Sequence, residues 1–417
     1  MGANKTIEIT VPEGFIVDSN ETSYVGTAWT FSTTEPEAKL FVWGKNQDGF
    51  LGVNVQDTEY SSPVQIPGTT WTAPPRAYGD TGIQNMGAIK TDGTLWAWGM
   101  NTRGVLGQNQ SPGTQRSSPT QVGSDTTWAQ MHISTEMCFA TKTDGTLWAW
   151  GANTTGALGQ NAPESSAQSS PIQIPGTTWT QSAQGGSSSS IATKSDGTLW
   201  TWGNNRFGTL GLNEHGGSAP NYNATSRSSP TQVPGTSWTT SVTDGISVAV
   251  TAYSMAALKT DGTLWTWGRG SDGEGGWNTT TAKSSPVQIP GTTWRSIEGG
   301  NGSCFYAQKT DGTMWSWGHN EAGQLGQGDR VQKSSPVQIP GTDWSNGATG
   351  ENTAIYRKTD GTLWGAGLNS QGQYGWPGLS NYGPSTWRSS PIQIPGTWGE
   401  ELSCGDGSFF ATKNPLT

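Results

Sequence analysis

A ten-residue phrase recurs along this chain: KTDGTLWAWG at 90–99 and again at 142–151, KSDGTLWTWG at 194–203, KTDGTLWTWG at 259–268, KTDGTMWSWG at 309–318 and KTDGTLWGAG at 358–367. A second phrase, Ser-Ser-Pro-x-Gln, follows each copy and also precedes the first. Its prolines are Pro63, Pro119, Pro171, Pro230, Pro286, Pro336 and Pro391, which gives seven copies 50 to 59 residues apart. A repeat of this length is too small to bury its own apolar face. Stability must come from stacking neighbours.

Each copy reads as four short strands. In the run Leu95-Trp96-Ala97-Trp98 alternate residues point to opposite sides, the period of a strand. Asp-Gly before it is a strong hairpin signal, because glycine adopts positive φ at little cost. The stretch before that turn, such as 138–142, supplies the partner strand. Ser-Ser-Pro-Val-Gln-Ile-Pro reads as a fourth strand that starts on its proline. Lacking an N–H, proline belongs at a strand start or a sheet edge. The Gly-, Ser- and Ala-rich residues after each link tryptophan, such as 179–190, form the first strand, whose small side chains suit a crowded axis.

Seven four-stranded units predict an all-β, seven-bladed β-propeller of antiparallel blades. The chain ends predict how it closes. The last copy stops at Ser408-Phe409-Phe410-Ala411-Thr412-Lys413 with no Asp-Gly strand after it, and the first opens at Lys39-Leu40-Phe41-Val42-Trp43-Gly44 with no partner before it. One blade is therefore expected to join two strands from 398–413 to two from 40–66. This two-plus-two N/C-terminal clasp removes the free edges. The propeller is assigned to 37–417. Residues 1–36 read as a β-rich arm, with Thr6–Val11 and Tyr24–Phe31 as strands. It is either packed on the rim or an anchor and oligomerisation element.

Composition narrows the function. Trp accounts for 23 of 417 residues and Gly for 60, while charged residues make up only 13%. That excludes helical bundles and coiled coils, and the aromatics argue against disorder. No run of 18 apolar residues exists, and residues 1–20 lack a basic segment followed by an apolar core, so neither membrane insertion nor a secretory signal is expected. The net charge of −9, with scattered basic residues, argues against nucleic acid as a partner.

Candidate chemistry is sparse. His132, His215 and His319 fall in different repeats, with no metal-type spacing and no nucleophile elbow nearby. Hairpin geometry accounts for Asp92, Asp144, Asp196, Asp261, Asp311 and Asp360, which lack the alternating carboxylates of a calcium loop. Residues 268–276, GRGSDGEGG, lack the ending of a phosphate loop and read as a degenerate turn. Cys138, Cys304 and Cys404 read as buried free thiols. No catalytic residue, cofactor or metal is expected.

The combined signature, DGTLWxWGxNxxGxLG followed by SSPxQIPGTTW, resembles the regulator of chromosome condensation repeat family in its bacterial and phage form, over residues 38–413. The resemblance implies a seven-bladed propeller. It implies function loosely, since members range from nucleotide exchange on a small GTPase to enzyme inhibition and adhesion. The evenness of the copies is similar to environmental bacterial and phage members. A virion structural or surface protein, or a bacterial adhesin on the extracellular surface, is the expected setting. The alternatives are a guanine-nucleotide exchange factor for a small GTPase and a carbohydrate-binding lectin.

Strand order also predicts where a partner touches. The Asp-Gly turns and the Ile-Pro-Gly-Thr links share one face. The first-to-second and third-to-fourth connections share the other, and all the length variation falls there. From Leu-Gly to Ser-Ser-Pro the gap is 7 to 9 residues in five copies but 16 at 212–227 and 13 at 376–388. The connections at 72–86 and 239–255 are also long. Insertions on one face of a repeat protein mark a binding face. Tyr78, Tyr222, Tyr253, Trp277, Trp376, Tyr382 and Trp387 are the anchors expected there, for other proteins or for surface glycans.

Overall fold

The computed structural model describes residues 5–9, 29–33, 39–73, 76–77, 85–110, 112–162, 167–185, 188–216, 224–240, 246–300, 302–350, 352–369, 387–399, 402–405 and 408–413. The chain is a seven-bladed all-β propeller, and each blade is an antiparallel sheet in the order first, second, third, fourth strand. Blade 3 is typical, with Trp179–Gly185, Ser189–Lys194, Leu199–Gly203 and Arg227–Gln232. First strands of successive blades pack against each other around the axis.

The expected clasp is present. Blade 7 joins Leu402–Gly405 and Ser408–Lys413 to Lys39–Gly44 and Tyr60–Gln65. The two ends of the chain pair in register from Lys39 opposite Lys413 to Gly44 opposite Ser408. Lys5–Ile9 pairs with Trp29–Thr33 in a separate two-stranded sheet.

One expectation needs correcting. The fourth strand does not start on its proline. Pro119 is the fourth residue of Arg116–Gln121, and Pro336 the fourth of Lys333–Gln338. The strand tolerates it because it is the outermost one, with one side unpaired. The ladder also shifts register there, between Ala97 and Gly99 in blade 1.

Each word of the repeat has a structural task. In the Asp-Gly turn of blade 2, Asp144 accepts the Thr146 amide at 2.9 Å and its hydroxyl at 2.7 Å, and that hydroxyl accepts the Trp148 indole proton at 2.9 Å. The Lys142 ammonium lies over both Trp128 and Trp148, 4.8 and 4.1 Å from the ring centroids. The Gly145 carbonyl then accepts the amide of Trp179 in the next blade at 2.9 Å. The same turn-to-link bond recurs from Gly93 to Gly361 and makes a belt along this turn face.

Across the blade, the Asn-x-x-Gly-x-Leu-Gly loop docks on its neighbour. In blades 1 to 5 the second tryptophan of the third strand donates its indole proton backwards into the preceding blade's loop, as in Trp98 to Phe50 O at 2.9 Å, Trp202 to Ala157 O at 2.8 Å and Trp267 to Thr209 O at 2.8 Å. The loop glycine sits on the neighbour's serine pair. A Cβ at Gly156, where φ is +78°, would come within 2.5 Å of the Ser228 backbone. The Asn161 amide bonds Ser228 O at 2.7 Å. Thus two phrases far apart in each copy meet across every interface where both are described.

The loop asparagine holds this arrangement together. Asn205 is fully buried. Its Oδ1 accepts the Leu210 amide at 2.9 Å, and its Nδ2 donates to Glu214 O at 3.1 Å and the Thr225 hydroxyl at 3.0 Å. Asn205→Ala strands a buried amide and carbonyl and should cost about 1–3 kcal/mol, read from the urea midpoint.

Acidity acts on the turn face. Asp125 is pulled down to about 2, first by Lys142 and then by the Thr127 hydroxyl. A carboxylate with a depressed folded-state pKa contributes stability above its unfolded value, and that contribution is lost as pH falls through the folded value. Urea midpoints should therefore drop as pH falls from about 4 toward 2, and less so in Asp125→Asn. The site is partly exposed, so the effect is small.

Candidate functional site

The strand order places the third-to-fourth loops at the end of the ring opposite the Asp-Gly turns. Of the seven expected anchors, Tyr78, Tyr222, Trp376 and Tyr382 lie outside the described residues. Tyr253, Trp277 and Trp387 are described, and each is half-buried.

Tyr253 bridges blades 3 and 4. Its ring meets Phe207 edge-on at 5.0 Å, and the Arg269 guanidinium lies 5.3 Å from its centroid. Its carbonyl accepts the Thr209 hydroxyl at 3.1 Å. Arg206 stacks on Phe207 at 5.0 Å, so arginine, phenylalanine, tyrosine and arginine form a strip across the interface. Trp387 stacks under Arg330 of blade 5 at 4.0 Å. Both tyrosine and tryptophan thus hold neighbouring loops together and expose only part of their surface. Trp277 folds back on its own loop, donating to Thr281 O at 3.2 Å and lying against Gly270 and Gly275.

That contact explains residues 268–276. The glycines leave room for the Trp277 indole. The loop also lacks the usual asparagine, Gly270 standing in its place. A charged set replaces it: Arg269 bonds Asp272 and, at 2.9 Å, the Glu274 carboxylate, which accepts the Asp272 amide at 2.8 Å. Burial pushes the Glu274 carboxyl up, and Arg269 opposes that shift. The turn is therefore rebuilt around an ion pair, a structural role rather than a phosphate site.

Two of the expected long connections are not loops between first and second strands. In blade 4 the extra residues of 239–255 come before the first strand, Val248–Val250, and only 251–253 join it to Ser254–Leu258. In blade 1 the first strand is split. Trp71–Ala73 pairs within its own blade, while Arg76–Ala77 pairs in parallel with His132 and Ile133 of blade 2. Part of the 72–86 connection thus joins the inner wall of the ring.

The histidines stay apart. His132 is buried in a first strand, His215 is exposed and contacts Gly216 O at 2.9 Å, and His319 contacts Gln324 at 3.0 Å. No group of three metal-type side chains occurs among the described residues. Cys138 and Cys304 are buried free thiols, both raised by burial, Cys304 to about 12. The side chain of Cys404 lies outside the described residues.

Sequence reasoning missed Phe207, Arg269 and Arg330. Phe207 carried a signal, since it is the aromatic at a loop position filled by polar residues or alanine in the other described loops.

Comparison with known proteins agrees with this fold. The model of the Regulator of chromosome condensation (RCC1) repeat matches residues 92–140, 144–193, 196–250 and 311–348. The Ultraviolet-B receptor UVR8 of Arabidopsis thaliana is 26% identical over 278 residues, covering 64% of this chain and 58% of the receptor. The chain thus spans just over half the length of that relative. Yeast RCC1 (Prp20), solved bound to Kap60, superposes with a TM-score of 0.74 at 16% identity, covering 91% of this chain and 90% of that one. Human WBSCR16 superposes at 0.72 and 18% identity, covering 91% of this chain and all of that one.

Proposed function

The chain is built of regulator of chromosome condensation repeats closed into one ring, and on that premise we propose that it is a non-enzymatic, protein-binding propeller carried on a phage particle or a cell surface. The carrying observation is the contrast between its two faces. The turn face is a belt of repeated bonds between Asp-Gly turns and the next blade's link. The loop face shows arginine paired with aromatic rings at Arg206, Phe207, Tyr253, Arg330 and Trp387. Tyr, Trp and Arg are the residues that dominate interface energies. Yeast RCC1 is bound to Kap60 in its structure, and a protein partner is proposed for this chain too. The even copies and the low charge support the particle or surface setting, with residues 1–36 as the anchoring arm.

The test has two arms. The first looks for the chain by mass spectrometry in purified particles or envelopes of its source. The second compares incorporation of Arg206→Glu/Arg330→Glu with Thr177→Glu, an exposed site on the turn face. The account expects the chain in the particle, lost with the double variant and kept with the single one. A chain recovered only as free protein overturns the setting. Equal incorporation of both variants overturns the loop face.

A further inference from the structure

The links between blades carry one irregularity. Six of them read Ile-Pro-Gly or Val-Pro-Gly before the first-strand tryptophan. Between blades 1 and 2 the chain instead reads Val122-Gly123-Ser124-Asp125-Thr126-Thr127, with no proline and one residue more. Elsewhere the link glycine lies over the indole. A side chain at Gly68, Gly176, Gly235, Gly291, Gly341 or Gly396 would meet the following tryptophan ring at 3.2 to 3.9 Å. At Gly123 nothing lies within 4 Å.

The displaced link borders a cavity of about 360 Å³ between the fourth strands of blades 1 and 2, with Gln108, Val122, Asp125, Trp128 and Pro171 in its lining. Trp128 is 5% exposed, and its indole N–H has no acceptor. The Gln108 Oε1 is also without a donor, while its Nε2 donates to Ala97 O and Thr120 O, both at 3.2 Å. Asp125 is turned toward Lys142 and the Thr127 hydroxyl. The walls are therefore apolar and amide, with the one lining carboxylate already paired.

The chain itself shows what chemistry such an indole accepts. In blades 5 and 7 the link proline takes the proton: Trp294 donates to Pro290 O and Trp398 to Pro395 O, both at 3.2 Å. The indoles of Trp71, Trp179, Trp238 and Trp344 have no acceptor either, but each lies under its own Pro-Gly turn. Only blade 2 lacks both the turn and the proline.

We propose that this cleft is a docking site for a proline-containing segment of a partner protein, an uncharged X-Pro-Gly turn like those the other six links supply from within the chain. The prolyl ring seats on Val122 and Pro171, and the prolyl carbonyl accepts the Trp128 indole proton. A prolyl segment is already restricted in conformation, so little entropy is lost on docking. The cleft is lined by none of Arg206, Phe207, Tyr253, Arg330 or Trp387, so either site can fail without the other.

The test titrates acetyl-Ile-Pro-Gly-Thr-amide into the full chain by saturation-transfer NMR. The comparison chain has Gly123–Thr126 replaced by Pro-Gly-Thr, which restores the common link and fills the cleft from within. A thermal melt at or above that of the wild type establishes that it is folded. Saturable binding to the wild type is expected, weakened at least about tenfold in the restored-link chain and by a similar factor when alanine replaces the peptide's proline. Equal binding to both chains, equal binding of both peptides, or no saturable binding to the wild type would overturn the proposal.

Discussion

Removing residues 402–417 should abolish cooperative folding altogether. The deletion takes the first and second strands out of blade 7 and leaves Lys39–Gly44 paired only with Tyr60–Gln65, its inner edge open. Leu402, Phe409 and Ala411 are buried in one cluster with Trp43 and Trp398, and buried Phe410 packs on Phe50. Trp43 lies 5.2 Å from Trp398 and 6.2 Å from Phe409, centroid to centroid. Burying each Phe or Leu is worth about 1.5–3 kcal/mol, and a whole domain has a margin of only about 5–15 kcal/mol. Losing three such side chains with their ladder, while exposing two tryptophans, exceeds or consumes that margin. Circular dichroism should show no sigmoidal melt, and size exclusion should show aggregate. A truncated chain that melts within a few degrees of the full one would mean that blade 7 is dispensable.

The second large effect belongs to Trp267→Ala. Trp267 is fully buried, meets Trp238 at 6.3 Å and bonds Thr209 O of the preceding blade. Gly211 sits under its ring, where a Cβ would come within 2.8 Å of the indole nitrogen. Alanine leaves a cavity between two blades that the rigid sheets cannot close, and strands the Thr209 carbonyl. The expected cost is about 3–5 kcal/mol in urea unfolding. Trp267→Phe keeps most of the volume and should cost less than half as much. Equal losses would show that the indole bond, not packing, carries the interface.

Blade 6 shows why such a bond is retained. Its third strand reads Leu-Trp-Gly-Ala-Gly, with Ala366 where the other copies have the second tryptophan. The donor is supplied differently: Tyr306 and Tyr356 both give hydroxyl protons to Gln324 O, at 2.9 and 2.8 Å. A copy that loses the indole keeps the bond.

The propeller and its clasp were legible because periodicity and the mismatched chain ends are one-dimensional signals. Asp-Gly and alternating Leu-Trp fix a hairpin without reference to anything distant. The meeting of Gly156 with Ser228 was not legible, because two invariant phrases in different copies give no hint that they touch. The split of the first strand at Arg76–Ala77 was hidden for a like reason, since its partner is the next blade. The rebuilt turn at Arg269, Asp272 and Glu274 could have been noticed, as a lost asparagine beside three new charges suggests compensation. Insertion length singled out Tyr253 and Trp387, but Tyr253 sits in a connection of only three residues, 251–253, because the extra residues of 239–255 precede the strand Val248–Val250. That these two rings pack against Phe207 and Arg330 depends on a neighbouring blade.

Native-state hydrogen exchange by mass spectrometry tests the closed ring most directly. The shared blade requires the amides of 39–44 and 408–413 to be protected together and to open in one cooperative step, as slowly as the uninterrupted ladder of 189–203. Exchange of 408–413 at the rate of an unstructured tail, while 189–203 stays protected, would contradict it.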